Sequence, residues 1–147
     1  MNLRYFSTLR PECQKFRKLL IQQYNNEYGG CHCSMCLNRL PCELLDMAHL
    51  KPRSNLTSVE LKNMENVQFM CKMCHSIYDH GYISINKLGI LENTKNINNY
   101  KLPILYQIGK IYSKYSDKNA IFLEWHYNNV FKKDIYDVAF SSKSSKR

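Results

Sequence analysis

Two pairs of cysteines carry the first recognisable chemistry of this chain, Cys33-x-x-Cys36 and Cys71-x-x-Cys74. A gap of two residues lets both thiolates of one turn reach a single ion. Four such sulfurs close a tetrahedral zinc shell with no open position, so the site is structural rather than reactive. The stretch 37–70 between the pairs is longer than the insert of a compact finger, which requires a folded unit between them. Cys31 could replace Cys33 through a longer loop, and His32 could compete as a ligand; spacing favours Cys33. Cys13 and Cys42 have no evident partner and read as ordinary thiols.

Between and just beyond these pairs lie His49, Asn66, His75 and Asp79. On a helix, the four-residue step from His75 to Asp79 puts an imidazole and a carboxylate on one face, able to grip one cation. That pair leaves positions open for water and phosphate oxygens, as a catalytic metal requires. His49 would stay outside the metal shell, where a neutral imidazole can take a proton from water near neutral pH. Lys51 and Arg53 follow it closely and are candidate phosphate contacts. Taken singly, each residue has an ordinary structural reading: a satisfied histidine, a turn asparagine, a spare zinc ligand, a solvated loop cation. Their order and spacing together point to chemistry.

The segments Ala48-His49-Leu50-Lys51-Pro52, then Asn66-Val67-Gln68-Phe69-Met70-Cys71, then Cys74-His75-x-x-Tyr78-Asp79-x-Gly81 resemble the His-Asn-His (HNH) endonucleases. The resemblance covers about residues 31–85 and is nearest the restriction-type branch, whose motif begins Ala-His. A weaker similarity, Leu123-Glu124-Trp125-His126 with Val130-Phe131, resembles that branch's closing helix. The resemblance implies an α+β fold with a ββα-metal core, a structural zinc on the four cysteines, and hydrolysis of phosphodiester bonds in DNA, most naturally double-stranded. His49 would be the general base and Asn66 its positioner. His75 and Asp79 would hold a catalytic divalent ion (Mg²⁺, Mn²⁺, Ni²⁺ or Zn²⁺), and the products would carry 5′-phosphate and 3′-hydroxyl ends. One departure stands out: many members place a metal-binding Asp or His where this chain has Ala48. Strand alternation puts Asp46 on the same face as Ala48, from where it could assist through water.

Around these residues the pattern predicts a helix over about 11–28, with Pro11 at its start, Gly29-Gly30 at its end, and Phe16, Leu19, Leu20 and Tyr24 as its inner stripe. Lys15, Arg17 and Lys18 then make the opposite face basic. Short strands are expected over Leu44 to Leu50, from Asn66 to Met70, and over Tyr82 to Ile85, with Ile90-Leu91 after a turn. Lys72 to His80 suits a helix stopped by Gly81. Two more helices are expected, Ile104 to Tyr115 and Lys118 to Phe131, the second carrying His126 as a packing residue. The Ser/Lys-rich end, 141–147, reads as a mobile basic tail.

The chain suits one domain around a modest core, and a 44% apolar fraction argues against disorder. Its net charge of +9 suits a polyanionic partner. Seven cysteines, an odd number, argue against a closed disulfide framework. With no signal-like start and no run long enough to span a bilayer, the expectation is an intracellular protein with reduced thiols and no membrane association. Because one active site cuts one strand, a homodimer is a natural form for cutting both. The rival expectation is a catalytically silent zinc module that only binds nucleic acid.

Overall fold

The computed structural model of the protein describes residues 11–132, so the tail at 141–147 lies outside the described residues. Helix α1, Pro11–Tyr28, opens on proline, whose missing N–H costs nothing at a first helical position. It closes at Gly29, whose left-handed φ of 70° turns the chain so that the Gly30 N–H points back to the Tyr24 carbonyl at 3.5 Å. Leu20 and Tyr24 are buried, while Leu19 is 40% exposed and drops out of the expected stripe. The Tyr24 hydroxyl donates to Gln68 Oε1 at 2.7 Å and accepts from the Phe69 N–H at 3.4 Å, which docks α1 on the strand that carries both residues.

Arg17 does not join the expected basic solvent face. Its guanidinium turns inward, donating to the carbonyls of Leu45 (3.1 Å) and Cys42 (2.6 Å) and lying over the Phe69 ring. Carbonyls at a strand entry need donors, and arginine can supply two while burying its stem.

Strand β1, Leu45–His49, pairs antiparallel with β2, Val67–Cys71, in a register that sets His49 opposite Val67 and Leu45 opposite Cys71. Leu44 falls outside the strand, in a 3₁₀ turn over Cys42–Leu44. The connection between the strands is a chain of short 3₁₀ turns at Arg53–Asn55, Glu60–Lys62 and Met64–Asn66. Helix α2, Lys72–Asp79, follows β2 with no intervening loop and packs on β1 and β2. The result is a strand–strand–helix unit whose helix covers one face of a two-stranded ribbon.

A second two-stranded sheet, β3 (Ile83–Ile85) with β4 (Leu91–Asn93), lies against helix α3, Ala120–Asn129. Gly81 joins α2 to this half: at φ +78° any added Cβ would run into the Val130 carbonyl, and the Gly81 carbonyl accepts from the Lys132 N–H at 3.0 Å. Among the described residues the molecule is thus mixed α+β, with three helices and two small antiparallel sheets. One cluster of buried side chains runs from Leu20 to Leu123. No described helix is long and apolar enough to cross a membrane.

The helix expected over Ile104 to Tyr115 is not formed. Pro103–Gln107 makes a 3₁₀ turn, Gly109 takes φ 85°, and Ile111 bridges to Ile90. The Leu91 N–H bonds the Lys110 carbonyl at 3.0 Å, and the Gly109 N–H bonds that of Leu91 at 2.8 Å. The segment therefore satisfies the free edge of β4, an obligation that outweighs the local helical spacing of its apolar residues.

Candidate functional site

The sulfurs of Cys33, Cys36, Cys71 and Cys74 all lie within 4.8 Å of one another, so this cluster could hold a structural metal such as zinc. The two halves share one local geometry: the Cys36 N–H points at Cys33 Sγ (3.5 Å) and the Cys74 N–H at Cys71 Sγ (3.4 Å). In the second half Cys71 caps α2, placing a sulfur where helical N–H groups and the helix dipole favour negative charge. The first half turns through Leu37, the one described non-glycine residue with positive φ. Hydrogen bonds from Cys36 and Cys74 pull the Cys33 thiol far below its ordinary range. Those same contacts push Cys36 and Cys74 up, chiefly because each thiol keeps its proton to donate to the Cys33 sulfur. The donor set thus fits a soft divalent metal.

Cys31 is removed from competition for that metal by a disulfide to Cys42, with Cα atoms 5.4 Å apart. Cys42 is therefore not the partnerless thiol expected, and the argument from an odd cysteine count missed one closed pair. Local pairing explains the meeting: residues 31–40 fold back through a bridge between His32 and Arg39, which delivers Cys31 to the turn at Cys42. The His32 ring packs against Tyr24 and Tyr28.

His49 closes β1 and is half-buried, beside a hollow shared with Phe16, Arg53, Leu61 and Lys62. Burial first, then the charges of Arg53 and His75, hold its imidazole below the ordinary histidine value, which keeps it neutral. The chain beyond it is clamped by Asn66, which is 1% exposed. Asn66 Nδ2 donates to the Lys51 carbonyl (3.0 Å), its Oδ1 accepts from the Lys51 N–H (2.8 Å), and its own carbonyl accepts from the Leu50 N–H (2.8 Å). Tyr78, reaching across from α2, adds a bond from its hydroxyl to the Leu50 carbonyl at 2.6 Å. The backbone that carries His49 is thus tied from both sides.

His75 sits on α2 between two carboxylates. Its Nε2 lies 3.1 Å from Asp79 Oδ2, as the four-residue spacing requires, and its Nδ1 lies 3.0 Å from Asp46 Oδ2. Hydrogen bonding to Asp79, with help from Asp46 and against the cost of burial, lifts His75 to about 9. Although burial opposes it, Lys72 and His75 hold the Asp46 carboxyl below its usual range, and Lys72 Nζ stands 2.8 Å from Asp46 Oδ1. Asp46 therefore meets His75 directly, not through water. Aimed through Asp46, Nε2 and the half-exposed Asp79 form a two-donor grip open to solvent. A carboxylate on the distal nitrogen orients metal-binding histidines, and this pair could offer donors to an ion only after His75 gives up its Nε2 proton.

Lys51 does not point outward as a phosphate contact. Its ammonium is held by Glu60 at 2.9 Å and lies over the Trp125 ring, 5.4 Å from the centroid. Glu60 in turn accepts from the Thr57 N–H (2.9 Å) while the Thr57 hydroxyl accepts from the Glu60 N–H (3.1 Å), a reciprocal cap that stiffens the loop. Arg53 remains beside the His49 hollow, with Nη1 3.3 Å from Cys13 Sγ. His126 is buried as expected for packing: it stacks on Tyr78, faces the Tyr78 carbonyl through Nε2 (2.8 Å) and the Ser84 hydroxyl through Nδ1 (2.7 Å). Since a carbonyl can only accept, Nε2 carries the proton and Nδ1 accepts from Ser84.

No family model matches the chain, and no curated protein matches it significantly in sequence. Sequence reasoning left Asp46 at a distance from the His75–Asp79 pair, quoted Tyr78 only within the motif and gave no role to Lys72 or Glu60. Strand alternation put Asp46 on the helix-facing side, and Thr57-x-x-Glu60 is a readable capping signature. No local signal marks the reach of Tyr78 to Leu50.

Proposed function

We propose that this protein is a metal-dependent endonuclease of the His-Asn-His type that hydrolyses phosphodiester bonds in DNA, with a ββα-metal core formed by β1, β2 and α2. One observation carries the reading: a neutral, clamped imidazole, His49, stands at the end of β1 within electrostatic reach of a solvent-open His75–Asp79 pair on α2. A divalent ion held by His75 and Asp79 would stabilise negative charge on the phosphate and the departing 3′ oxygen. His49 accepts the proton of the attacking water, for which a depressed imidazole is already in the basic form at neutral pH. Asn66 and Tyr78 tie the backbone at Leu50 and Lys51, which holds in place the strand end that carries the imidazole. Asp46 keeps the Nδ1 proton of His75 engaged and leaves Nε2 for the ion. Lys51 braces the loop through Glu60, which leaves Arg53 and exposed Lys62 as the cations that line the His49 hollow beside a substrate. The net charge of +9 supports a polyanionic substrate, and the cysteine cluster would hold the unit together through structural zinc.

The test is plasmid cleavage with Mg²⁺, Mn²⁺, Ni²⁺ or Zn²⁺ added, comparing wild type with His49→Ala. Metal-dependent nicking that the substitution abolishes supports the reading. Tight DNA binding with no cleavage by wild type, or equal cleavage by both proteins, rejects it in favour of a silent binding module.

A further inference from the structure

Beside His49 lies a hollow of about 300 Å³ whose walls come from α1 and from the loop joining β1 to β2. Its size is at the lower end of small-ligand sites, enough for one ring system and far too small for a double helix. The lining is sharply divided. Phe16 and Leu61 supply an aromatic and an aliphatic surface, while Arg53, Ser58 and Lys62 supply donors. A pocket for phosphate alone would be ringed by N–H groups and would have no use for an apolar wall. A ring with a stacking face and hydrogen-bonding edges uses both.

The loop that forms this hollow is braced rather than loose. Lys51 to Glu60, the reciprocal cap of Thr57 and Glu60, and Asn66 on the Lys51 backbone all close it upon itself. Arg53 is drawn into the wall by its contact with Cys13. At the tip, between Ser58 and Glu60, Val59 is 78% exposed, an aliphatic side chain held out into solvent by a preorganised turn. Proteins that unstack bases insert apolar wedges of this kind between base steps.

We propose that this hollow receives the base of an unpaired or unstacked nucleotide, whose phosphodiester then lies at the His49 edge. The preferred substrate would be DNA carrying a bulge, gap or other unpaired position at the cut. This inference rests on the endonuclease reading and deepens it. Phe16 provides the stacking face, Arg53 and Ser58 face the edge of the base, and exposed Lys62 meets a flanking phosphate at the rim.

The experiment uses the full wild-type chain, loaded with structural zinc and with no further divalent ion added, and hairpin DNAs alike except at one bulged position, which carries either a nucleotide or an abasic sugar. Fluorescence anisotropy should give about tenfold tighter binding of the base-containing bulge, the order expected for one stacked base. Phe16→Ala should erase that difference and Phe16→Tyr should keep it. Equal affinity of the unsubstituted pocket for both hairpins overturns the inference, without any variant of Phe16 having to fold. Parallel cleavage by the same protein with a divalent ion added separates the two ideas. Cutting with no base dependence removes the pocket and leaves the nuclease, whereas base-dependent binding with no cutting in any metal keeps the pocket and removes the nuclease.

Discussion

Replacing Asp46 tests the role proposed for its carboxylate, which is to orient His75 toward a divalent ion. In the folded protein Asp46 Oδ2 holds His75 Nδ1 at 3.0 Å, and Nε2 is thereby aimed at Asp79. Asp46→Ala removes both the hydrogen bond and the charge; Asp46→Asn keeps an acceptor oxygen and loses only the charge. Loss of such a partner typically costs about 10- to 100-fold in metal affinity or activity, or about 1.4–2.7 kcal/mol. Folding should suffer far less. The other partner of Asp46 is Lys72, whose side chain is 75% exposed, and an ion pair so open to water contributes at most about 1 kcal/mol. Calorimetric titration of Mn²⁺ into zinc-loaded protein should therefore show the full loss for Asp46→Ala and a smaller one for Asp46→Asn. Lys72→Ala should bind like wild type, and thermal midpoints should stay close together. The metal dependence of plasmid nicking should shift by the same factor. If Asp46→Ala binds Mn²⁺ and cuts as well as wild type, the carboxylate does not orient His75 and the account of the grip is wrong.

Other consequences concern pH and stability. With His49 held below the ordinary imidazole value by burial, Arg53 and His75, the acid limb of the cleavage rate should have its midpoint below about 6.5. Arg53→Gln, by removing a positive neighbour, should move that midpoint upward; single-turnover rates across the mildly acidic range would reveal a midpoint that stays put. Asn66→Ala strands the part-buried N–H and carbonyl of Lys51, so denaturant unfolding should register a loss of about 1–2 kcal/mol, with turnover falling while DNA binding persists. Stripping metal from the four cysteines, or making Cys74→Ser, should remove the tetrahedral Co²⁺ spectrum of the substituted protein and lower its thermal midpoint steeply; an unchanged melt would show that the cluster braces nothing. His126 is lowered to about 4 chiefly by burial, so between about 6.5 and that value the unfolded chain binds a proton that the native one refuses. Its contribution is complete above the unfolded value and disappears as pH falls through the folded one, a loss of about 3 kcal/mol that His126→Gln should flatten in melts taken across that window.

What the linear order of residues determined here is what short-range geometry governs. Cys33-x-x-Cys36 and Cys71-x-x-Cys74 announce two metal half-sites because a turn of two intervening residues brings both sulfurs to one point. The step from His75 to Asp79 is one helical turn, and Gly29 and Gly81 mark ends that only a left-handed residue can make. The extents of α1, α2 and the first two strands follow from the same local rules. Everything that joins distant segments was decided by tertiary packing. Asp46 meets His75 because β1 lies under α2; Arg17 turns inward to the carbonyls of Leu45 and Cys42 at the strand entry; Lys51 is taken by Glu60 when the loop folds over it. Cys31 finds Cys42 once a bridge reverses the chain, and Ile104–Tyr115 gives up its helical spacing to satisfy the edge of β4. The hollow beside His49 is likewise made of side chains from α1 and the loop between β1 and β2. Spacing along the chain specifies angles around a turn, whereas these pairings depend on which faces are buried against each other, and hydrogen-bond satisfaction in that buried interior then selects the partner.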